Sequence, residues 1–314
     1  MRSDRATRPT RRVGVPIRVA IYVAIVAALW FGRDDVRRIV FTPSEPDRPL
    51  IVSGRRAAPA IVAELLGVFS ANYPDVELRS GRDDAIEALE DLLNQRTDIA
   101  FSLRAPTEEE LAFFRETAKD SLGVWPVATG ALLFWAGADT SVEAISLDSL
   151  ATFLAAGASA PYSRLYAPAP ASGVPGALAT RRPDLRLPAA DPRVIWLADE
   201  AAVRAALVAD PEAIGVGAAW GRADFDDPPG LRILPVRRPD GSLVRPGPET
   251  LTSGDYPLYL HLVVSTALSR RRESSMFVTW VADDRIQRRL DRSGFVPARW
   301  TSRPVVLTPG VAAR

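Results

Sequence analysis

The chain has 314 residues, a formal net charge of +1, 47% hydrophobic and 25% charged residues. That length suits about two domains with a sizeable core, and the near-zero charge gives no global field for nucleic acid or an acidic membrane. Cysteine is absent and His261 is the only histidine, which excludes disulfides, thiolate metal sites, cysteine nucleophiles, a lipid-modified N-terminal cysteine and multi-histidine metal centres.

Arg2, Arg5, Arg8, Arg11 and Arg12 make residues 1–12 a basic leader. An uncharged apolar run, Val19 to Phe31, follows. Extended back to Val13, with only Arg18 intruding, it nearly reaches the ~20 residues that span a bilayer. Basic residues ahead of such a run fix the N-terminus in the cytoplasm. Two outcomes stand side by side: residues 13–32 stay as a transmembrane anchor, or they are a signal peptide cut near Val26-Ala27-Ala28. Either way the rest of the chain lies outside the cytoplasmic membrane. Residues 33–49, with Pro43, Pro46 and Pro49, are a linker.

Folding begins at Leu50. Leu50-Ile51-Val52 reads as a strand, Ser53-Gly54-Arg55-Arg56 as a turn, and Pro59 as the first residue of a helix with Ile61, Val62, Leu65, Leu66 and Phe69 on one face. Such a turn points backbone N–H groups at solvent beside a positive helix end, the geometry that receives an anion. The plain alternative is a strand-to-helix turn with two solvated arginines. Val76-Glu77-Leu78 is the second strand, Ser80-Gly81-Arg82-Asp83-Asp84 a turn, and Ile86, Leu89, Leu92 and Leu93 the face of the next helix. Asp98 to Ser102 is a third strand, and Thr107-Glu108-Glu109-Glu110 opens a helix with acids at its positive end. This alternation predicts a parallel sheet with helical crossovers.

A long extended segment from Val124 to Trp135 is too apolar for a surface loop and reads as a crossing between two lobes. Beyond it come a helix at Leu147–Leu154, a strand at Leu165–Ala167, a strand-to-helix turn at Pro170–Gly176, and strands at Val194–Leu197 and Ile214–Gly217 around a helix from Asp199 to Ala209. Leu231 to Val236 reads as one strand. Tyr256 to Val264 is the return crossing, and helices at Ser275–Ala282 and Asp284–Asp291 close the chain.

These pieces, in this order, resemble the substrate-binding proteins of phosphate ABC importers, a type II periplasmic binding fold. The resemblance rests on Asn72-Tyr73-Pro74-Asp75-Val76, Thr97-Asp98-Ile99-Ala100-Phe101-Ser102, Ser172-Gly173, Glu212-Ala213-Ile214-Gly215, Tyr256-Pro257-Leu258 and Gly294-Phe295-Val296-Pro297, and covers most of residues 49–300. It implies an α/β two-lobed fold with two interlobe crossovers, lobe 1 from residues 50–126 plus 262–314 and lobe 2 from 127–261. It implies phosphate or a similar oxyanion in the interlobe cleft, an ABC permease as partner, a periplasmic or extracytoplasmic location and no cofactor. The implied ligand-binding residues are Ser53, Gly54, Arg55, Arg56, Gly81, Arg82, Ser102, Ser172 and Gly173. The sequence also departs from that pattern. Arg55 and Arg56 stand at hydroxyl positions, Arg82 replaces a serine, Leu103 follows Ser102 where some members carry an acceptor aspartate, Pro168 lies where the family has an arginine, and Val174 replaces a threonine.

Other chemistry is weakly signalled. His261 sits among apolar residues and reads as a core residue. Asp226-Asp227 and Asp283-Asp284 are explained by turns and helix capping, not metal binding. Ser172 lies in no Gly-x-Ser-x-Gly elbow, and no basic stripe interleaves Trp125, Trp135, Trp196 and Trp220. An enzyme is the weakest class. Two readings remain: a solute receptor for an importer, and a membrane-tethered structural or sensory module that keeps the fold without phosphate binding.

Overall fold

Capping chemistry and proline placement set the helix starts. The computed structural model describes residues 48–156 and 160–298. In chain order, β1 (Leu50–Ser53) leads through a 3-10 turn at Arg55–Ala57 into α1 (Pro59–Asn72), with proline at the first helical position. There the missing N–H leaves no bond unmade. β2 (Leu78–Ser80), α2 (Glu87–Leu93), β3 (Ile99–Ser102) and α3 (Glu108–Ala118) follow. Thr107 and Glu110 close a reciprocal box at the start of α3, each side chain accepting the other's backbone N–H. The chain continues through β4 (Leu122–Gly137), β5 (Ile145–Ser146), α4 (Leu147–Ala156), β6 (Arg164–Pro168), α5 (Val174–Arg181) and β7 (Val194–Leu197). Then come α6 (Glu200–Val208), β8 (Ala213–Ala219), β9 (Leu231–Ile233), β10 (Val236–Arg237), β11 (Leu243–Val244) and α7 (Pro248–Thr252). β12 (Tyr259–Ala267), α8 (Arg272–Val281) and α9 (Asp284–Arg292) complete it, the last capped by Asp283.

One nine-stranded sheet runs through the molecule in the order β2-β1-β3-β12-β4-β8-β6-β7, with β9 also on β4. β1 is parallel to β2 and β3, and β6 is parallel to β7 and β8. The two long strands β4 and β12 lie antiparallel between these parallel halves and join them. This is the two-lobed α/β arrangement with two crossings. Helices cover the sheet faces, which is why the strands are apolar along their whole length. Phe69, Phe101 and Phe277 meet edge to face under α1 and α8, while Leu165, Val203, Leu207 and Ile214 fill the other half. Asp98, almost fully buried, accepts from the Ile51 N–H, Arg48 and Arg271, so the start of β3 carries a satisfied ionic network.

Several expected boundaries move. The second strand begins at Leu78, not Val76, because Val76 closes a turn on the Tyr73 carbonyl. Leu231–Val236 divides at Leu234-Pro235 into β9 on the large sheet and β10 on a three-stranded one. The return crossing starts at Tyr259. Tyr256 lies before it and donates its hydroxyl to the Leu132 carbonyl at 2.7 Å. His261 is only partly buried, so it is not a core residue; it faces Thr129 at 3.4 Å and the Tyr259 ring. The leader, the segment at 13–32 and the linker up to residue 47 lie outside the described residues. Among the described residues no helix is long and apolar enough to cross a membrane.

Candidate functional site

Three turns converge where β1, β2 and β6 end. Gly54 has φ 84°, and a side-chain carbon there would lie 1.9 Å from the Phe101 carbonyl oxygen, so glycine alone fits. The chain then enters α1 with no side-chain cap and no acid in its first turn. The second turn is tied to the first through backbone. The Gly54 N–H donates to the Arg82 carbonyl at 2.8 Å, and the Arg56 N–H to the Asp83 carbonyl at 3.0 Å. It is tied to the third by the Ala85 N–H, which donates to the Ala171 carbonyl at 3.2 Å. Gly173, with φ 81°, packs so closely that an added carbon would meet Ala85 Cβ and Leu103 Cδ1, each at 3.1 Å.

The turns therefore meet, but many of their polar groups are already engaged. The Gly81 N–H donates to the Val52 carbonyl (2.8 Å), the Ser172 N–H to Ala169 (3.0 Å) and the Gly173 N–H to Pro170 (2.9 Å). The Val174 N–H donates to Ser172 Oγ at 3.2 Å. The Asp84 carboxylate accepts from the Ile86 and Glu87 N–H groups and so caps α2. Ser53 and Ser102 are buried. Ser53 donates to Thr97 Oγ1 (3.1 Å) and Ser102 to the Arg104 carbonyl (2.7 Å). A helix start binds an anion through free amides; the turn amides named above are committed to protein acceptors, while the uncapped first turn of α1 keeps its own.

The arginines divide into two kinds. Arg82 donates to both oxygens of Asp91 (2.9 and 2.6 Å) and to Glu87 (2.6 Å). Those bonds push its pKa further up. Burial raises Asp91, but the hydrogen bonds from Arg82 and Arg96 outweigh it and hold the carboxyl below its usual range. Arg104 holds Glu110 in a fork at 2.7 Å on each oxygen, which raises the arginine and lowers the acid. Arg55 and Arg56 are exposed; Arg55 donates to Ser80 Oγ at 2.5 Å, and the Arg56 side chain has no bonded partner among the described residues.

The sequence reading missed what lies beside the turns. A cavity of about 120 Å³ runs along α5, lined on one side by Gly173, Gly176, Ala177 and Thr180. Their spacing is one helical face, a pattern legible in the sequence. Opposite stand Ala85, Ile86, Leu89 and Leu103, with Ser102 and Arg104. Arg55, Arg56 and Arg82 do not line it.

This architecture is that of a two-lobed periplasmic binding protein of type II. The profile of the PBP superfamily domain matches residues 42–285, and the chain belongs to that family. Among solved structures it is similar to an ABC-type phosphate transport receptor from Vibrio cholerae, with a TM-score of 0.65, 12% identity, and coverage of 80% of this chain and 100% of that one. It is similar also to PstS from Borrelia burgdorferi, with a TM-score of 0.54, 17% identity, and coverage of 80% and 99%. At these identities the shared property is the fold. No curated protein matches the sequence.

Proposed function

We propose that this chain is an extracytoplasmic solute-binding protein, a receptor for an ABC-type importer, whose interlobe cleft has been rebuilt so that free phosphate is not its solute. The family and fold support the receptor role. One observation carries the departure from phosphate: the turn amides already donate to protein oxygens where Leu103 and Ala85 pack on Gly173. Freeing the Gly81 amide alone leaves the buried Val52 carbonyl unpaired, at about 1–3 kcal/mol. A dianion pressed against aliphatic groups adds a desolvation penalty of several kcal/mol. The oxyanion expected from the resemblance would have to overcome both.

Residues 50–126 plus 262–314 form one lobe in this reading and 127–261 the other, with residues 13–32 as anchor or export signal. The role is binding rather than catalysis. The lone histidine, His261, has Thr129 and Tyr259 as neighbours and does not line the cavity along α5. The tethered structural module remains the second reading, and the direct Ala85–Ala171 bond between the second and third turns fits it.

A melting-temperature screen of the purified protein tests this. Phosphate, sulfate and molybdate leave the midpoint unchanged, while at least one less charged solute raises it, as binding to the folded state requires. A rise with phosphate overturns the reading. No rise with any solute favours the structural module.

A further inference from the structure

The cavity along α5 holds both apolar wall and unused hydrogen-bonding capacity. We propose that it is the solute site, and that its solute is an uncharged molecule with a short aliphatic body and one amide or hydroxyl end. This rests on the receptor reading above and names its ligand class.

Size comes first. At about 10–15 Å³ for each water-sized occupant, a cavity of about 120 Å³ takes a small solute of at most roughly eight to twelve non-hydrogen atoms. Shape and polarity follow from the walls. Leu89 and Leu103 are buried, and Ile86 is 51% exposed, so the aliphatic wall runs outward to a greasy rim. On α5, Gly176 has only Ile86 Cδ1 near an added carbon, at 3.9 Å, so the absent side chain is part of the space.

Charge decides the class. Arg104 is the one charged side chain on the wall, and Glu110 already occupies both of its terminal nitrogens. The pair is neutral as a unit. An ionised solute would compete with Glu110 for the fork while losing its own water, which an aliphatic wall does not replace. A neutral polar end has partners. The Arg104 Nε–H has no acceptor among the described residues. Ser102 gives its proton to the Arg104 carbonyl and Thr180 gives its own to the Gly176 carbonyl, leaving both hydroxyl oxygens able to accept. Spare N–H groups on Arg104 and two hydroxyl acceptors match an amide or a hydroxyl, which offers both functions.

Butyramide is the probe, followed through the methyl resonances of Ile86, Leu89 and Leu103 in the full chain. Saturable shifts are expected at these methyls. Gly176→Leu fills the space and weakens butyramide by at least about tenfold. Gly67→Leu, at an exposed position of α1 where an added carbon meets nothing within 4 Å, keeps the fold and binds within about threefold. Butyrate, nearly the same shape with a charge, binds at least about tenfold more weakly than butyramide. Equal or tighter binding of butyrate at these methyls overturns the proposal. So do absent or unsaturable butyramide shifts, and so does undiminished binding in a folded Gly176→Leu variant. If phosphate binds, the receptor reading above has failed; if phosphate and butyramide are both rejected, only this inference has.

Discussion

The three converging turns and the cavity along α5 meet at Leu103 and Gly173, yet they treat polar groups in opposite ways. At the turns, the amides of Gly54, Arg56, Gly81, Ala85, Ser172 and Gly173 are bonded to neighbouring carbonyls. At the cavity, the walls are mostly aliphatic, and Ser102, Thr180 and Arg104 keep capacity unused. Convergence of helix starts is therefore a property of the fold, while the availability of those starts to a ligand is a property of the side chains and turn shapes around them. The 3-10 turn at Pro170–Ser172 is the clearest case, because it directs the Ser172 and Gly173 amides back into their own loop.

The most disruptive way to break this comparison is Gly54→Val. Its first side-chain carbon would sit 1.9 Å from the Phe101 carbonyl oxygen at a φ of 84°. The expected loss exceeds about 4 kcal/mol, read by urea denaturation; near-native stability would mean that the first turn does not close on β3. Asp91→Ala is next. It removes an almost buried carboxylate shared by the half-exposed Arg82 and Arg96, at about 1.5–3 kcal/mol. It also releases Arg82 from its buried partner and leaves it only Glu87, which makes it the sharpest discriminator. If the engaged amides block phosphate, the variant still ignores phosphate. If it gains phosphate affinity, arginine pairing was the block.

Arg55→Ala combined with Arg56→Ala should change stability by less than about 0.5 kcal/mol, since both side chains are exposed. It should also leave phosphate titrations unchanged. A marked effect on either would place these arginines in a working site.

The smallest effect concerns pH. The Arg181 guanidinium at the end of α5 stacks on Tyr259, 3.5 Å from the ring centre, close to His261. Burial first, and then the Arg181 charge, lower the His261 pKa. A base depressed in the folded state binds fewer protons there than in the unfolded chain, so stability falls as pH drops below the ordinary histidine range of about 6.5. His261→Phe should flatten that acid-side slope in melting curves between about pH 7 and 5, whereas an unchanged slope would assign it to other groups.

Much of this was legible in the residues, and the remainder was not for definite reasons. Pro59 and the Ile61, Val62, Leu65 and Phe69 face fixed α1. The two long apolar segments announced the crossings, and Thr107 with Glu110 marked the start of α3. Strand ends were less legible where a local turn competes: Val76 bonds back to Tyr73, and Pro235 divides β9 from β10. His261 looked like a core residue from its neighbours, but β4 leaves it partly open. At the site, Gly54 and Gly173 signalled close approach. The partners of the amides did not show, because a backbone donor carries no sequence label and its acceptor lies on another turn, on β1 or back in its own loop. Leu103 was visible as a departure from the phosphate-receptor pattern, though its contact with Gly173 was not.

Isothermal titration of the purified protein with inorganic phosphate, at low and at physiological salt, tests the central claim most directly. Engaged turn amides predict no saturable heat, with any dissociation constant weaker than about 1 mM. A saturable isotherm near about 1 µM would contradict it.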